Sequence, residues 1–343
     1  MVETGTLTGR GKGLYVSLVL SLISIGFLLY FTWEEDTLAS LERLNPRGLL
    51  LAFFLVASLW LVEGLRIKAL LKAVGSPTRL PLLAASRVFL ITYFCAGITP
   101  WALGEWPAHI LALTRREVAP GEAAAATLLR SFYTKGVFVI WSGMIIFFFN
   151  SLGVKASTGR IFQGAFMAVA FTSFAYFLIM AKPGIALWLL DLLRRFAYTR
   201  HLYEGNRGVA RFLKSLLVEA RRFRSSLGRV WHRGPLLLLW PLLLTLAFWT
   251  LYFSIAPLIL WSFGMTPPYL TTVSWQVMIF LLLSYVPLPG GSGAAEFSAA
   301  TLFVSFVPSP FIGVFIAAWR FFTYYLTLFF GSLAFLSFIR NQR

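Results

Sequence analysis

The chain has 343 residues, of which 58% are hydrophobic, 17% aromatic and only 13% charged. Soluble domains carry about 25% charged and 45–50% apolar residues, so a mean hydropathy of +0.77 excludes a soluble enzyme, a disordered chain and a fibrous protein. The net charge of +17 sits in stretches between apolar runs, where Lys and Arg set membrane topology and attract anionic head groups. This placement argues for membrane lipids and against nucleic acid as the partner. One cysteine (Cys95) and three scattered histidines (His109, His201, His232) leave no disulfide framework, metal cluster or cofactor to expect.

The whole chain, 1–343, reads as a single all-α polytopic membrane domain. The first apolar run, residues 14–32, lacks a small-residue cleavage site and reads as a retained span. The connection 33–47 carries four acids against two arginines and is expected to face outward. A second span, 48–65, exits into Arg66, Lys68, Lys72, Arg79 and Arg87, with Glu63 and Arg66 read as a snorkelling pair at the helix end. Residues 82–113 are apolar but interrupted at Thr99-Pro100 and Gly104-Glu105, with Arg115 and Arg116 directly after. Two further spans, 123–150 and 161–181, complete a first half, 14–181. The segment 182–233 holds 12 Lys/Arg and 3 Asp/Glu, a net +9. Its Leu and Phe recur at helical period, so it reads as cytoplasmic amphipathic helices on the inner membrane surface or under the bundle. The second half, 234–339, opens with a span at 234–262 between Trp231 and Trp261. An interrupted segment follows at 270–307, broken at Pro289-Gly290-Gly291-Ser292-Gly293 with Glu296 just after, and a last span covers 311–339. The expected sum is about six crossings and two re-entrant hairpins, 82–113 and 270–307, with both termini cytoplasmic. Only Lys155 and Arg160 fall on the wrong side.

Two Gly/Pro-broken apolar segments, one per half, are the signature of an inverted repeat. A broken helix at membrane depth leaves unpaired backbone groups, tolerated only inside protein or along a water-filled cavity. Helix starts at Pro100 and Ser292 would present free N–H donors and partial positive charge, suited to a phosphate or carboxylate. The competing reading is a kink in each of two ordinary crossings. Glu105, Arg130, Lys135, Glu296 and Arg320 lie within apolar stretches, with Tyr324 one turn beyond Arg320. Each charge needs a partner or a cavity. Two acids against three bases leave one surplus positive charge. Two accounts stand open: an anionic head group held near the breaks, or ion pairs tying hairpins to spans.

Catalytic patterns are missing: no Ser-His-Asp or Cys-His arrangement, no Gly-rich loop ending in Lys-Ser/Thr, and no Asp-x-Asp motif. His109 reads as a hydrogen-bonded packing residue and Cys95 as a small buried hydrophobe.

The elements Ile98-Thr99-Pro100-x-x-x-Gly104-Glu105, Arg115, Arg130, Pro289-Gly290-Gly291-Ser292-Gly293-Ala294-Ala295-Glu296, Arg320 and Gly331 resemble the flippase-like family named for the membrane region of lysylphosphatidylglycerol synthases. The resemblance covers roughly residues 14–338. It implies translocation of a lipid between leaflets of the bacterial inner membrane without carrying over the cargo; the embedded charges point to an anionic or zwitterionic (phospho)lipid. Two-domain members add a cytosolic aminoacyl-transferase; this chain ends at Arg343, so lipid synthesis is not expected of it. The expected substrate site joins the residues that carry the resemblance, Thr99, Pro100, Gly104, Glu105, Arg130, the 289–293 turn, Glu296 and Arg320, to Lys135 and Tyr324, which embedded charge and helical spacing add; at Ser131-Phe132-Tyr133-Thr134-Lys135 the chain departs from the family, where many relatives place an acid after the arginine. Two alternatives stay open: a polytopic transferase acting on a lipid-linked substrate, and a membrane subunit that recruits a lipid-modifying enzyme through segment 182–233.

Overall fold

A computed structural model describes residues 45–147, 156–182, 207–232 and 235–340, together with Ile23, Gly26, Tyr30 and Gly184. The expected first span at 14–32, Lys155 and most of 182–206 lie outside the described stretches. Everything else described is helical or a short connection. Four helices among the described residues are long and apolar enough to cross a membrane: Pro46–Val74, Gly159–Ala181, Leu237–Ser262 and Ser309–Arg340.

Helix α1, Pro46–Val74, begins where the Asn45 side chain accepts from the Arg47 N–H and Pro46 takes the first turn. It ends at Gly75, whose left-handed φ of 78° lets its N–H close on the carbonyls of Leu71 and Lys72. This corrects the expected span end at residue 65. The helix runs nine residues further, about two and a half turns, so Glu63 and Arg66 sit in its interior, 0% and 1% exposed, and do not snorkel. At 29 residues it is about 43 Å long, well over the roughly 30 Å hydrocarbon core.

Two helical hairpins follow the same plan. In the first, α2 (Leu82–Gly97) leads through a tight turn at Pro100–Ala102 into α3 (Glu105–Thr114). After it come α4 (Pro120–Phe147), α5 (Ala156–Ala181), the basic α6 (Arg207–His232), and the consecutive α7 (Pro235–Phe253) and α8 (Ile255–Ser262). In the second hairpin, α9 (Tyr269–Leu283) leads through a turn at Pro289–Gly291 into α10 (Ala294–Phe303). The chain closes with α11 (Ser309–Arg320), one π-helical stretch at Phe321–Tyr325, and α12 (Leu326–Arg340). With 10 to 16 residues each, the hairpin arms reach only about 15–24 Å. Both turns start with proline and then take positive φ, at Trp101 and Ala102 in the first and at Gly290 and Gly291 in the second.

The helix starts differ from those expected at Pro100 and Ser292. The backbone turns first, and the α-helices begin at Glu105 and Ala294. This moves each glutamate into the first helical turn, where the macrodipole favours a carboxylate.

The two hairpin turns pack against each other, and α2 also touches the second turn. The Trp101 indole N–H donates to the Tyr285 carbonyl at 3.4 Å, tying the first tip to the end of α9. Helix α12 lies along α2, α7 along α1, and each short arm, α3 or α10, packs on the long helix that follows it, α4 or α11. One apolar core runs through the bundle, with Phe253, Phe303, Phe315 and Trp319 fully buried in it. Gln276, also fully buried, crosses that core by donating to the Phe253 carbonyl at 2.7 Å and accepting from the Trp319 indole at 3.2 Å. In an apolar medium such polar contacts hold helices together where the hydrophobic effect cannot.

Helix α6 docks under the bundle. Its Glu219 carboxylate accepts from the Gly121 N–H at 2.8 Å, and its Arg229 donates to the Val74 carbonyl at 3.1 Å. It thus binds the start of α4 and the end of α1, while Arg221, Arg222 and Arg224 stay exposed. Of the amphipathic helices expected over 182–233, only α6 lies within the described residues.

Candidate functional site: a cation-lined cavity at the hairpin tips

In each half, a glutamate in the first turn of the short arm meets an arginine on the next long helix. Glu105 pairs with Arg130, 25 residues later, and Glu296 pairs with Arg320, 24 residues later. The two pairs occupy corresponding positions, and the unequal offsets of the glutamates from the preceding glycines hide that likeness in the sequence.

The first pair belongs to a chain of four charges. Arg66 Nη1 donates to Glu63 Oε2 at 3.1 Å, and Arg130 Nε donates to Glu63 Oε1 at 2.6 Å. Arg130 Nη1 reaches Glu105 Oε1. Arg66 is braced further by the Arg130 carbonyl at 2.8 Å and the Thr134 hydroxyl at 2.6 Å, while its Nε has no hydrogen-bond partner among the described residues. A buried charge is tolerated only when paired and hydrogen-bonded, and Glu63 supplies that pairing to two arginines at once.

The second pair is more deeply buried. Arg320 Nε donates to Glu296 Oε1 at 2.8 Å, and Nη2 lies 3.3 Å from the Gly290 carbonyl. The guanidinium stacks over the Tyr324 ring, 4.4 Å from its centroid, a cation–π contact. Glu296 Oε2 also accepts from the Gly293 N–H at 2.7 Å, so the carboxylate caps the helix it belongs to. One of the donors expected to await a phosphate at this helix start, the Gly293 N–H, is therefore taken by the protein's own acid. The π-helical stretch directly after Arg320 shifts the register of the following turn. Its Thr323 carbonyl accepts from the Tyr93 and Tyr252 hydroxyls at 2.7 and 3.3 Å, and Tyr324 donates to the Gly97 carbonyl at 3.1 Å.

These groups surround a cavity of about 710 Å³. Its charged lining comprises Arg66, Arg130, Lys135 and Arg320 but only one acid, Glu105; Glu63 and Glu296 lie behind the arginines, fully buried. Lys135, on the same helix as Arg130, has no hydrogen bond or ion pair among the described residues. Counting all seven embedded groups, three acids face four bases. The single surplus cation foreseen from five residues thus persists after Glu63 and Arg66 are added. The rest of the wall is mainly aromatic and apolar, with Trp106, Tyr176, Trp249 and Phe280 among its members, and hydroxyl-bearing residues such as Ser131, Thr134 and Ser284 between them.

Of the residues expected at the site, Glu105, Arg130, Lys135, Gly290, Gly291, Arg320 and Tyr324 line the cavity. Thr99, Pro100, Gly104, Pro289, Ser292, Gly293 and Glu296 shape it without lining it. Thr99 fastens the first turn, donating to the Cys95 carbonyl at 2.8 Å and accepting from the Gly104 N–H at 2.9 Å. Ser292 is buried and donates to the Pro289 carbonyl at 3.0 Å. Glu63, Arg66, Tyr93 and Tyr252 were missed; Val74-Gly75 was the signal that α1 continues past Arg66. His109 is the packing residue expected, its Nδ1 2.7 Å from the Thr127 hydroxyl across α3 and α4. Cys95 is half-buried.

Comparison with known proteins agrees with this architecture. Residues 14–331 match the family described as the lysylphosphatidylglycerol synthase TM region. A protein of Archaeoglobus fulgidus described as a UPF0104 membrane protein is 29% identical over 327 residues, covering 93% of this chain and 95% of that protein.

Proposed function

The chain belongs to the family of the lysylphosphatidylglycerol synthase TM region, and from that premise we propose that it is a flippase-like transporter that moves an anionic or zwitterionic phospholipid between leaflets. The observation that carries the reading is the cavity between the hairpin tips, where four cationic side chains and one carboxylate face a mainly apolar and aromatic space. Such a lining suits a phosphate-bearing head group. Arg130 and Arg320 are held by fixed acids and present rigid guanidinium forks. Lys135 supplies an uncommitted ammonium, and the apolar wall receives the chains.

In this reading the hairpins are re-entrant, entering from opposite faces as the halves of an inverted repeat, and their tips meet at membrane depth. The chain lies in the cell's inner (plasma) membrane as a multi-pass protein with cytoplasmic termini, the side to which the basic connections assign them. No bond-making chemistry is assigned to it. In support, the cavity's one lining carboxylate, Glu105, is already ion-paired to Arg130. Recruitment of a lipid-modifying enzyme by α6 is the weaker alternative, since that helix already spends Glu219 and Arg229 on the bundle.

The test is reconstitution into liposomes with head-group-labelled phospholipids, with leaflet exchange followed by dithionite quenching. Wild type is expected to exceed empty liposomes, and Glu296→Gln and Arg320→Ala to lose most of that excess. Folded protein that exchanges no lipid, or variants that exchange as well as wild type, would overturn the reading.

A further inference from the structure

A second concentration of positive charge lies away from the central cavity, at the open end of the first hairpin. Where α2 begins and α3 ends, Arg87, Arg115 and Arg116 line a separate cavity of about 480 Å³. It shares no lining residue with the central one, and none of its lining residues is acidic. All three arginines are exposed and none forms an ion pair among the described residues. Three like charges converging on one space repel each other unless an anion neutralises them.

The opposite wall is helix α12, which contributes Phe330, Leu333 and Phe338. The Arg115 guanidinium sits 6.0 Å from the Phe338 ring centroid. Gly331 brings α12 close against α2, since a Cβ there would run into the Leu90 carbonyl. Leu333, which lines the groove, also belongs to an exposed apolar face of α12 with Phe329 and Leu336, 47%, 58% and 56% exposed. The site therefore has two halves of opposite character: a triple-arginine pocket suited to phosphate, and an apolar track along α12.

We propose that this groove is a resident binding site for an anionic phospholipid, with its phosphate on Arg87, Arg115 and Arg116 and one acyl chain along α12. Arginine forks bind phosphate in a bidentate manner, and the apolar track selects a lipid over a free anion. A lipid seated here clamps the base of the first hairpin to α12, the helix that continues from Arg320 through the π-helical stretch. The site is distinct from the transport cavity, so its occupancy does not depend on whether exchange occurs.

The experiment places the full chain in nanodiscs doped with phosphatidylglycerol or phosphatidylcholine carrying a photoactivatable group on one acyl chain, and maps the labelled peptides. Phosphatidylglycerol is expected to label the 329–338 stretch several-fold more than phosphatidylcholine. The triple variant R87Q/R115Q/R116Q is expected to lose that label by about tenfold or more, given the attraction of each basic residue for anionic lipid. The corresponding triple lysine variant keeps most of it, and Arg224→Gln at an exposed position on α6 leaves it unchanged. Equal labelling by the two lipids in wild type, or undiminished labelling in the glutamine variant, overturns the proposal. Displacement of the label by excess inorganic phosphate overturns it as well, because it identifies a free-anion site. The wild-type comparison decides the matter even if the glutamine variant fails to fold.

Discussion

Glu63, fully buried, holds two arginines at once. Removing one partner of a buried ion pair costs about 3–5 kcal/mol, because the remaining charge is left uncompensated. Glu63→Ala is therefore expected to lower the thermal midpoint in detergent far more than Glu105→Ala, since the Glu105 side chain is 33% exposed and can be replaced by water. Equal losses would contradict the linked arrangement. Gly290 is a second position where one atom decides: its φ of 61° is left-handed, and a Cβ would enter the Tyr324 ring. Gly290→Ala is expected to cost about 1–3 kcal/mol. Combined with Tyr324→Ala, the losses should fall short of additive, as they do for residues in contact. Glu105, Arg130, Glu296 and Arg320 were legible in the sequence because charge within an apolar run has few explanations. Glu63 and Arg66 were not, because a charged pair followed by Lys68 and Lys72 also looks like a helix leaving the membrane.

At the scale of elements, proline and glycine marked both hairpin breaks, yet they did not locate the helix starts. A proline followed by positive-φ residues makes a turn before it makes a helix, so Pro100 and Pro289 announce α3 and α10 four or five residues early. The pairing of tip against tip was invisible too, since residues near 101 and 285 share no local signal. Helix α6 shows the same limit: its amphipathic period was evident, but its partner was not. Its docking depends on Glu219, which accepts a backbone N–H at the start of α4. A hydrogen bond to a charged group contributes about 1.5–3 kcal/mol. Glu219→Ala is accordingly expected to speed hydrogen exchange across α6 while leaving α9 and α10 protected. Unchanged exchange in α6 would show that apolar packing alone holds it.

For the whole molecule, the repeated plan has a functional consequence. Each half contributes one hairpin and one acid–arginine pair to a single cavity, so neither half is complete alone. Arg130→Ala and Arg320→Ala are expected to reduce lipid exchange by comparable factors, and a large disparity would show that one half only scaffolds the other. The central claim is that a lipid head group occupies the space between the tips. It is tested most directly by cryo-electron microscopy of the protein in nanodiscs rich in phosphatidylglycerol. The expected result is head-group density within hydrogen-bonding reach of Lys135 and either Arg130 or Arg320, with acyl density along the aromatic wall. A cavity holding water alone, with lipid head groups only on the outer surface of the bundle, would contradict the account.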